Sequence, residues 1–335
     1  MRLFWHEQQD QKRKKRTLIL LLIALLLILL PLCTVATYTW LGISKTPKVS
    51  DMEMTINCDP GLQLAWDIEA EDDEWKQQLD FTDAVGTDTL LTPVTWSDKE
   101  KSFYTAKFGA DGRIVDIGVR LSDEKDSNGR DGHYVKFTFY GRTEQEVEVS
   151  LSPAVSASDD GSKSAGTYLL GTPLWQENSK AHKDGGQGAQ FATRVGFIIS
   201  KINNEGVVTS QKPMLIYEPN CDRHIDGSSG YVDTPSIDGF EDLVGADRLI
   251  KQTTSHWEEG YPLERDVIIR DLGVFEDDVT LFQLDNSEKV KIDVYVWLEG
   301  MDVDCVNVLG TGAQFFANLQ LSAIPDNQSG LVPIQ

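Results

Sequence analysis

Cys221-Asp222-Arg223-His224 sets a thiol and an imidazole at Cys-x-x-His spacing, a pair that can hold zinc when a second pair completes the tetrahedron. Cys305 with Asp302 or Asp304 would be that second pair, but it contains no histidine. A Cys221–Cys305 disulfide and two separate thiols are therefore competing readings of the same residues. Glu124-Lys125-Asp126-Ser127-Asn128-Gly129 places oxygen ligands at alternate positions before a turn glycine, like the first half of a calcium loop. The twelfth position is Val135, where a bidentate carboxylate is required, so this is not an EF-hand and a solvated loop accounts for it. Asp126 and Asn128 stand as weak calcium candidates, with Glu299, Asp302 and Asp304 in a second acidic turn before the last strand. Calcium aside, no cofactor is expected.

Nothing in the chain spells a catalytic constellation. None of the five histidines pairs with another at the i, i+4 spacing of a zinc-protease helix, and His256-Trp257-Glu258-Glu259 lacks the second histidine. No Gly-x-Ser-x-Gly elbow, Walker loop or dinucleotide fingerprint is present. The expectation is a protein that is not an enzyme. Tyr295 and Trp297 alternate with Ile292, Val294, Val296 and Leu298, which predicts a central strand buried on both faces. A carbohydrate-stacking platform would use the same aromatic types.

The elements that must position these residues follow an unusual start. The basic cluster Lys12-Arg13-Lys14-Lys15-Arg16 precedes an apolar run over residues 18–32, an order that keeps residues 1–16 in the cytoplasm and sends the body outward. The strict apolar core is shorter than the roughly 20 residues that cross a bilayer. Residues 17–36 are thus either a signal peptide, with Thr34-Val35-Ala36 offering a cut between Ala36 and Thr37, or a retained anchor holding the chain in the membrane through residues 17–40. Cys33 follows Leu32 where a lipid-attachment site wants a small residue, which disfavours a lipoprotein. The body is expected to be extracytoplasmic, secreted or tethered to the cell surface.

The whole chain carries −22, and its first 36 residues hold six basic and two acidic groups, leaving about −26 on the rest. So acidic a body repels nucleic acid and anionic membrane surfaces and favours basic partners or divalent cations. Three cysteines beyond residue 36 are too few for a disulfide scaffold, so stability must come from packing.

Short periodicities predict an all-β body over residues 51–335, a jelly-roll-like antiparallel β-sandwich with long acidic loops inserted around 152–188 and 221–262, joined to the N-terminal helix by an arm or linker over 37–50. Met52, Met54, Ile56 and Cys58 alternate with polar residues, Asp59-Pro60-Gly61 supplies a type II turn, and Leu62, Leu64, Trp66 and Ile68 alternate again, which predicts a β-hairpin. Further strands are expected at Ile117–Leu121, Val135–Phe139, Val147–Leu151, Val195–Ile199, Val290–Leu298 and Phe316–Leu321. Residues 71–79 and 239–252 are expected to form short helices. In the arm, Thr39, Leu41 and Ile43 share one face and Tyr38 and Trp40 the other, so it can act as a donor strand for another subunit; Gly42, Lys45, Pro47 and Lys48 interrupt the pattern and favour a plain linker.

Tyr38-Thr39-Trp40-Leu41 followed by Val49-Ser50-Asp51-Met52-Glu53-Met54 is similar to the aromatic start of mature TasA and camelysin-like proteins of Gram-positive bacteria. The run from Val294 to Cys305, with Arg194-Val195-Gly196-Phe197 and Leu215-Ile216-Tyr217-Glu218-Pro219-Asn220, resembles later strands of such surface proteins. The resemblance covers about a quarter of the chain. It implies an exported jelly-roll subunit of biofilm-matrix fibres, assembling with itself or with other surface and matrix proteins. The peptidase activity attributed to camelysin-like relatives has no motif here. The chain is longer than the family pattern, and Trp40-Leu41 stands where Trp-Phe is expected. The other reading of the sequence is a membrane-anchored extracellular binding module for glycan or a divalent cation.

Overall fold

The computed structural model describes residues 15–21, 23, 25–26, 49–81, 91–108, 114–128, 132–152, 166–171, 192–203, 205–219, 248–259, 269–275, 279–302, 305 and 313–325. Two compact units are distinguished, Met1–Lys45 and Thr46–Gln335. In the first, the described residues are helical, and Leu18, Ile19, Leu20, Leu21, Ile23, Leu25 and Leu26 are all exposed. Among the described residues no helix is long and apolar enough to cross a membrane. Ala36 and Thr37 of the cleavage site, and Tyr38, Thr39, Trp40, Leu41 and Ile43 of the arm, lie outside the described residues.

The second unit is mostly β. Its strands begin with β1 (Val49–Cys58), β2 (Leu62–Ala65), β3 (Gln78–Asp80), β4 (Pro93–Ser97), β5 (Ser102–Phe108) and β6 (Ile114–Arg120). There follow β7 (Val135–Thr143), β8 (Val147–Leu151), β9 (Tyr168–Gly171), β10 (Thr193–Ile202), β11 (Val208–Gln211) and β12 (Leu215–Glu218). The last are β13 (Leu249–Glu259), β14 (Ile269–Phe275), β15 (Thr280–Leu284), β16 (Lys289–Glu299) and β17 (Ala313–Pro325).

One sheet runs β3, β1, β17, with β8 and β9 sharing the far side of β17, then β15 beside β8, β14 beside β9, and β13 beyond β14. The other runs β2, β7, β16, β10, with β11 and β12 beyond β10 and the start of β13 beside β12. At the end of β16 this second sheet adds β4, β5 and β6. Alternation explains why the two sheets share one core: Met54, Ile56, Leu319 and Leu321 of the first meet Phe137, Phe139, Val195, Phe197, Val294 and Val296 of the second in a single buried cluster.

Several expectations fail in instructive ways. The turn at Asp59-Pro60-Gly61 forms, with Gly61 at φ +107° and the Leu62 amide donating to the Asp59 carbonyl, but β1 and β2 are not a hairpin. β1 pairs with β17 and β3 while β2 pairs with β7, so the turn carries the chain from one sheet to the other. Both strands still bury alternate residues in the common core, which is all their pattern encodes. The sheets are mixed rather than purely antiparallel, because β1 with β17, β12 with β13, and β4 with the end of β16 run parallel. Within 71–79 a turn over 72–74 leads to a bridge at Lys76 and into β3, and 249–252 belong to β13, so neither expected helix stands where it is described. Tyr168–Gly171 and Leu249–Glu259 are strands inside the regions expected to be loops.

Candidate functional site

β16 is the centre of the second sheet, and its two faces have different chemistry. The even positions Val290 to Leu298 enter the common core, whereas Tyr295 and Trp297 enter a second cluster with Val94, Trp96, Phe103, Leu121, Tyr134, Met214 and Ile216. Phe103 lies 5.1 Å from the Trp297 ring and 4.3 Å from Tyr134, and Trp96 lies 5.0 Å from Phe103. Trp297 is 0% exposed and Tyr295 5%. These rings are covered by the chain itself, which removes the stacking platform that their types suggested.

Below this aromatic layer β16 ends on acid. Gly300 allows the turn because its backbone lies against β5, where a Cβ would come within 2.5 Å of the Ala106 Cβ, and its amide donates to the Val94 carbonyl at 2.9 Å. The turn directs Glu299 and Asp302 inward. Arg194, opposite Trp297 in register, donates through Nη2 to Glu218 Oε1 at 3.1 Å and to Asp302 Oδ2 at 2.5 Å, and through Nη1 to the Thr193 carbonyl at 3.1 Å. Arg194 and Glu218 are 0% exposed and Asp302 2%. Glu299 accepts from the Trp297 indole at 2.9 Å and from the Met301 amide at 3.1 Å. Burial pushes its carboxyl up to about 6, against those two bonds, the Thr95 hydroxyl and the Arg194 charge.

Glu299 and Asp302 are thus brought together as the sequence suggested, but around an arginine. The guanidinium occupies the position among the carboxylates that a divalent cation would take, and its fork links the ends of β10 and β12 to the turn after β16. Among the described residues no group of three or more His, Cys, Asp or Glu side chains is placed to hold a metal ion. Asp304, Cys221 and His224 lie outside the described residues, so the disulfide reading has Cys305 in view and the zinc reading Cys305 and Asp302; Cys305 is buried with its amide on the Asp302 carbonyl at 3.0 Å. Cys58 is also buried; its Sγ donates to the Leu62 carbonyl at 3.1 Å, and burial pushes its thiol up to about 12.

The half-loop at Asp126 and Asn128 is consumed locally. Asp126 Oδ2 accepts from the Ser122 amide at 2.6 Å, tying the helical turn Asp123–Asp126 back to the residue before it. Asn128, at φ 48°, bonds both backbone groups of Lys136, its Oδ1 accepting from the Lys136 amide at 2.6 Å and its Nδ2 donating to the Lys136 carbonyl. Those contacts hold the loop in place. Asp123, which the sequence reading passed over, is the real hub. It accepts from Tyr134 at 2.5 Å, Lys136 at 2.7 Å and Tyr295 at 3.1 Å. Burial works against its charge, but Lys136 and the two hydroxyls outweigh it and hold the carboxyl below the usual range. Burial and Asp123 push Tyr295 up to about 12, against the opposing pull of Lys136.

Arg194 and Glu218 were also missed as charge carriers. The signal was available: an arginine inside Thr193-Arg194-Val195-Gly196-Phe197-Ile198-Ile199, a run apolar enough for burial on both faces, demands a carboxylate partner. No family model, curated protein or solved structure matches the chain.

The remaining candidate is an edge. β1 pairs with β17 along its whole length, but with β3 only over Thr55, Ile56 and Asn57. Among the described residues, its first half has a neighbour on one side only.

Proposed function

We propose that this chain is an exported cell-surface structural protein, a matrix or fibre-type subunit whose jelly-roll-like sandwich body assembles through β-strand pairing. The observation that carries the reading is the edge of β1, half-open among the described residues, which begins within the last two residues of the arm of residues 37–50. A strand edge with unused backbone groups is what an extended segment of another subunit recognises, main-chain bonds giving affinity and alternate side chains specificity. The basic-then-apolar start supports export, and the resemblance to TasA and camelysin-like proteins supports a surface role. The buried aromatic face of β16 favours packing over ligand binding, so the structural reading is preferred to a glycan-binding module.

Deleting residues 37–43 tests it. The purified deletion protein should keep its β-rich circular dichroism and lose any fibres that the full chain forms under the electron microscope. Fibres that persist in the deletion protein would remove the arm from the mechanism.

A further inference from the structure

One segment closes edges of both sheets. Where the chain returns from the loop after β2, the Leu64 amide donates to the Lys76 carbonyl at 2.7 Å and the Lys76 amide to the Leu64 carbonyl at 2.8 Å. At the next residue the Cys58 amide donates to the Gln77 carbonyl at 2.9 Å, and β3 then runs along Asn57, Ile56 and Thr55 of β1. Residues 66–81 are therefore a strap that passes from the edge of β2 to the edge of β1 and covers backbone groups of each. Its hold through the backbone is short, one bridge to β2 and a three-residue pairing with β1. Side chains supply the rest. Leu79 and Phe81 enter the common core, with Phe81 edge-on to Phe137 at 5.4 Å. Trp75, buried, donates through Nε1 to the Ala70 carbonyl at 3.1 Å and lies against two cations, Arg142 at 4.5 Å and Lys289 at 5.3 Å. Lys289 also donates to the Ile68 carbonyl at 3.0 Å. Asp67, Glu69, Glu71, Asp72, Asp73 and Glu74 all face water.

The strap decides how much of β1 another chain can reach. β1 keeps an unbroken register with β17 from Asp51 to Cys58, and among the described residues the strap leaves only residues 51–54 of that stretch open. The alternating run of the arm, residues 38–43, is longer than this opening. We propose that the strap is a gate: the arm of a second copy seats on residues 51–54 of β1 and completes its pairing by displacing β3 from Thr55, Ile56 and Asn57. This rests on the reading that chains join through strand pairing, and it adds what regulates that pairing. The exchange conserves backbone bonds, because each β1 group that β3 gives up is paired again by the incoming strand. Charge suits the arm to this role. It carries Lys45 and Lys48 and no acidic residue, whereas the outward carboxylates of the strap repel the acidic body of a second copy from the closed edges.

The test uses the full chain in detergent micelles. The bond between Cys58 and Gln77 makes Thr55 and Asp80 a non-hydrogen-bonded pair, whose Cα atoms lie about 4.5 Å apart, inside disulfide range. Thr55→Cys/Asp80→Cys, oxidised and with its new bond mapped by mass spectrometry, should fix the strap and slow the appearance of sedimenting assemblies at least about tenfold. Reductant should restore the wild-type rate, and wild type carried through the same oxidation controls for the native cysteines. Trp75→Ala should act the other way and speed assembly. In that variant the Leu64 and Cys58 amides, which donate to the strap from different sheets, should exchange with solvent faster by one common factor of at least about tenfold. Circular dichroism checks that each variant is folded. Assembly that requires residues 37–43 yet runs equally fast with the strap locked overturns the gate and leaves the arm reading standing. Leu64 and Cys58 amides that respond separately overturn it too, and a chain that assembles in no form overturns both.

Discussion

Arg194→Met replaces the guanidinium that joins Glu218 and Asp302 by a side chain of similar length and no charge. Glu218 and Asp302 are left in a dry site, each having lost a charge-assisted bond, at 3.1 Å and 2.5 Å respectively. Breaking a buried pair from one side costs about 3–5 kcal/mol, because the orphaned charge keeps its desolvation penalty and loses its compensation. For a body of this size that corresponds to a melting temperature lower by roughly 5–8 °C at pH 7. A carboxylate stranded without its cation recovers part of the loss by taking a proton. Its folded pKa then lies above the unfolded one, so the deficit is full above the raised value and shrinks as pH falls through it. Urea denaturation of wild type and variant at pH 7 and pH 5 measures both effects. Arg194→Lys, which keeps the charge but cannot span Glu218, Asp302 and the Thr193 carbonyl with one planar fork, should lose less. A variant within 1 kcal/mol of wild type at pH 7, or a deficit identical at both pH values, would refute an ionised network.

Two further outcomes follow from the same region. Glu299 has its carboxyl raised from 4.5 to about 6 by burial, so its ionisation opposes folding: the penalty is absent below pH 4.5, grows up to pH 6 and is constant above. At about 1.4 kcal/mol per pH unit this amounts to about 2 kcal/mol. The stability of wild type minus that of Glu299→Gln should fall by that amount across the window, and a pH-independent difference between pH 4 and 7 would contradict it. Gly300→Ala drives a methyl to within 2.5 Å of the Ala106 Cβ and should cost about 1–3 kcal/mol, with Ala106→Gly in the same chain restoring most of it; thermal melting of the single and double variants checks the cycle.

How much of this was legible in the sequence depended on which physical quantity the pattern encodes. Alternation reports which face of a strand is buried, and it located β7, β8, β10 and β16 and the double burial of Tyr295 and Trp297. It says nothing about which strand lies alongside. That is why Met52 to Cys58 and Leu62 to Leu64 read as partners when they are neighbours across the core. β9 escaped notice because Tyr168-Leu169-Leu170-Gly171 is a short apolar patch in a region rich in Ser, Gly and Asp; its strand character comes from its pairing with β17 and β14. Residues 249–252 carried a helix-like apolar spacing, overridden by the parallel partner β12. At the charged site, Glu299 and Asp302 were legible as acids near a turn. Their cation was not, since Arg194 lies more than a hundred residues away and meets Asp302 only through the β10–β16 register.

That register raises a question that hydrophobicity alone does not answer. Where one face of a strand is buried and the other wet, a slip of one residue exposes the whole apolar set and is strongly penalised. β16 is buried on both faces along most of its length, so the same slip would exchange one apolar face for another at much smaller cost. What does discriminate is the charge placed among those residues. Asp293, in the middle of β16, accepts from Thr138 of β7 at 2.5 Å and from Lys291 at 3.0 Å. Glu299 caps the Trp297 indole, and Arg194 on β10 reaches Glu218 and Asp302. Moving β10 by one residue would turn Arg194 from the aromatic side into the common core beside Val294 and Val296 of β16, and would separate it from Glu218 and Asp302. Buried ion pairs contribute little net stability compared with apolar residues of the same volume, yet a misplaced one is severely unfavourable. In a sheet whose central strand is apolar on both sides, that asymmetry lets a few buried charges decide between alignments that the hydrophobic pattern leaves nearly equal.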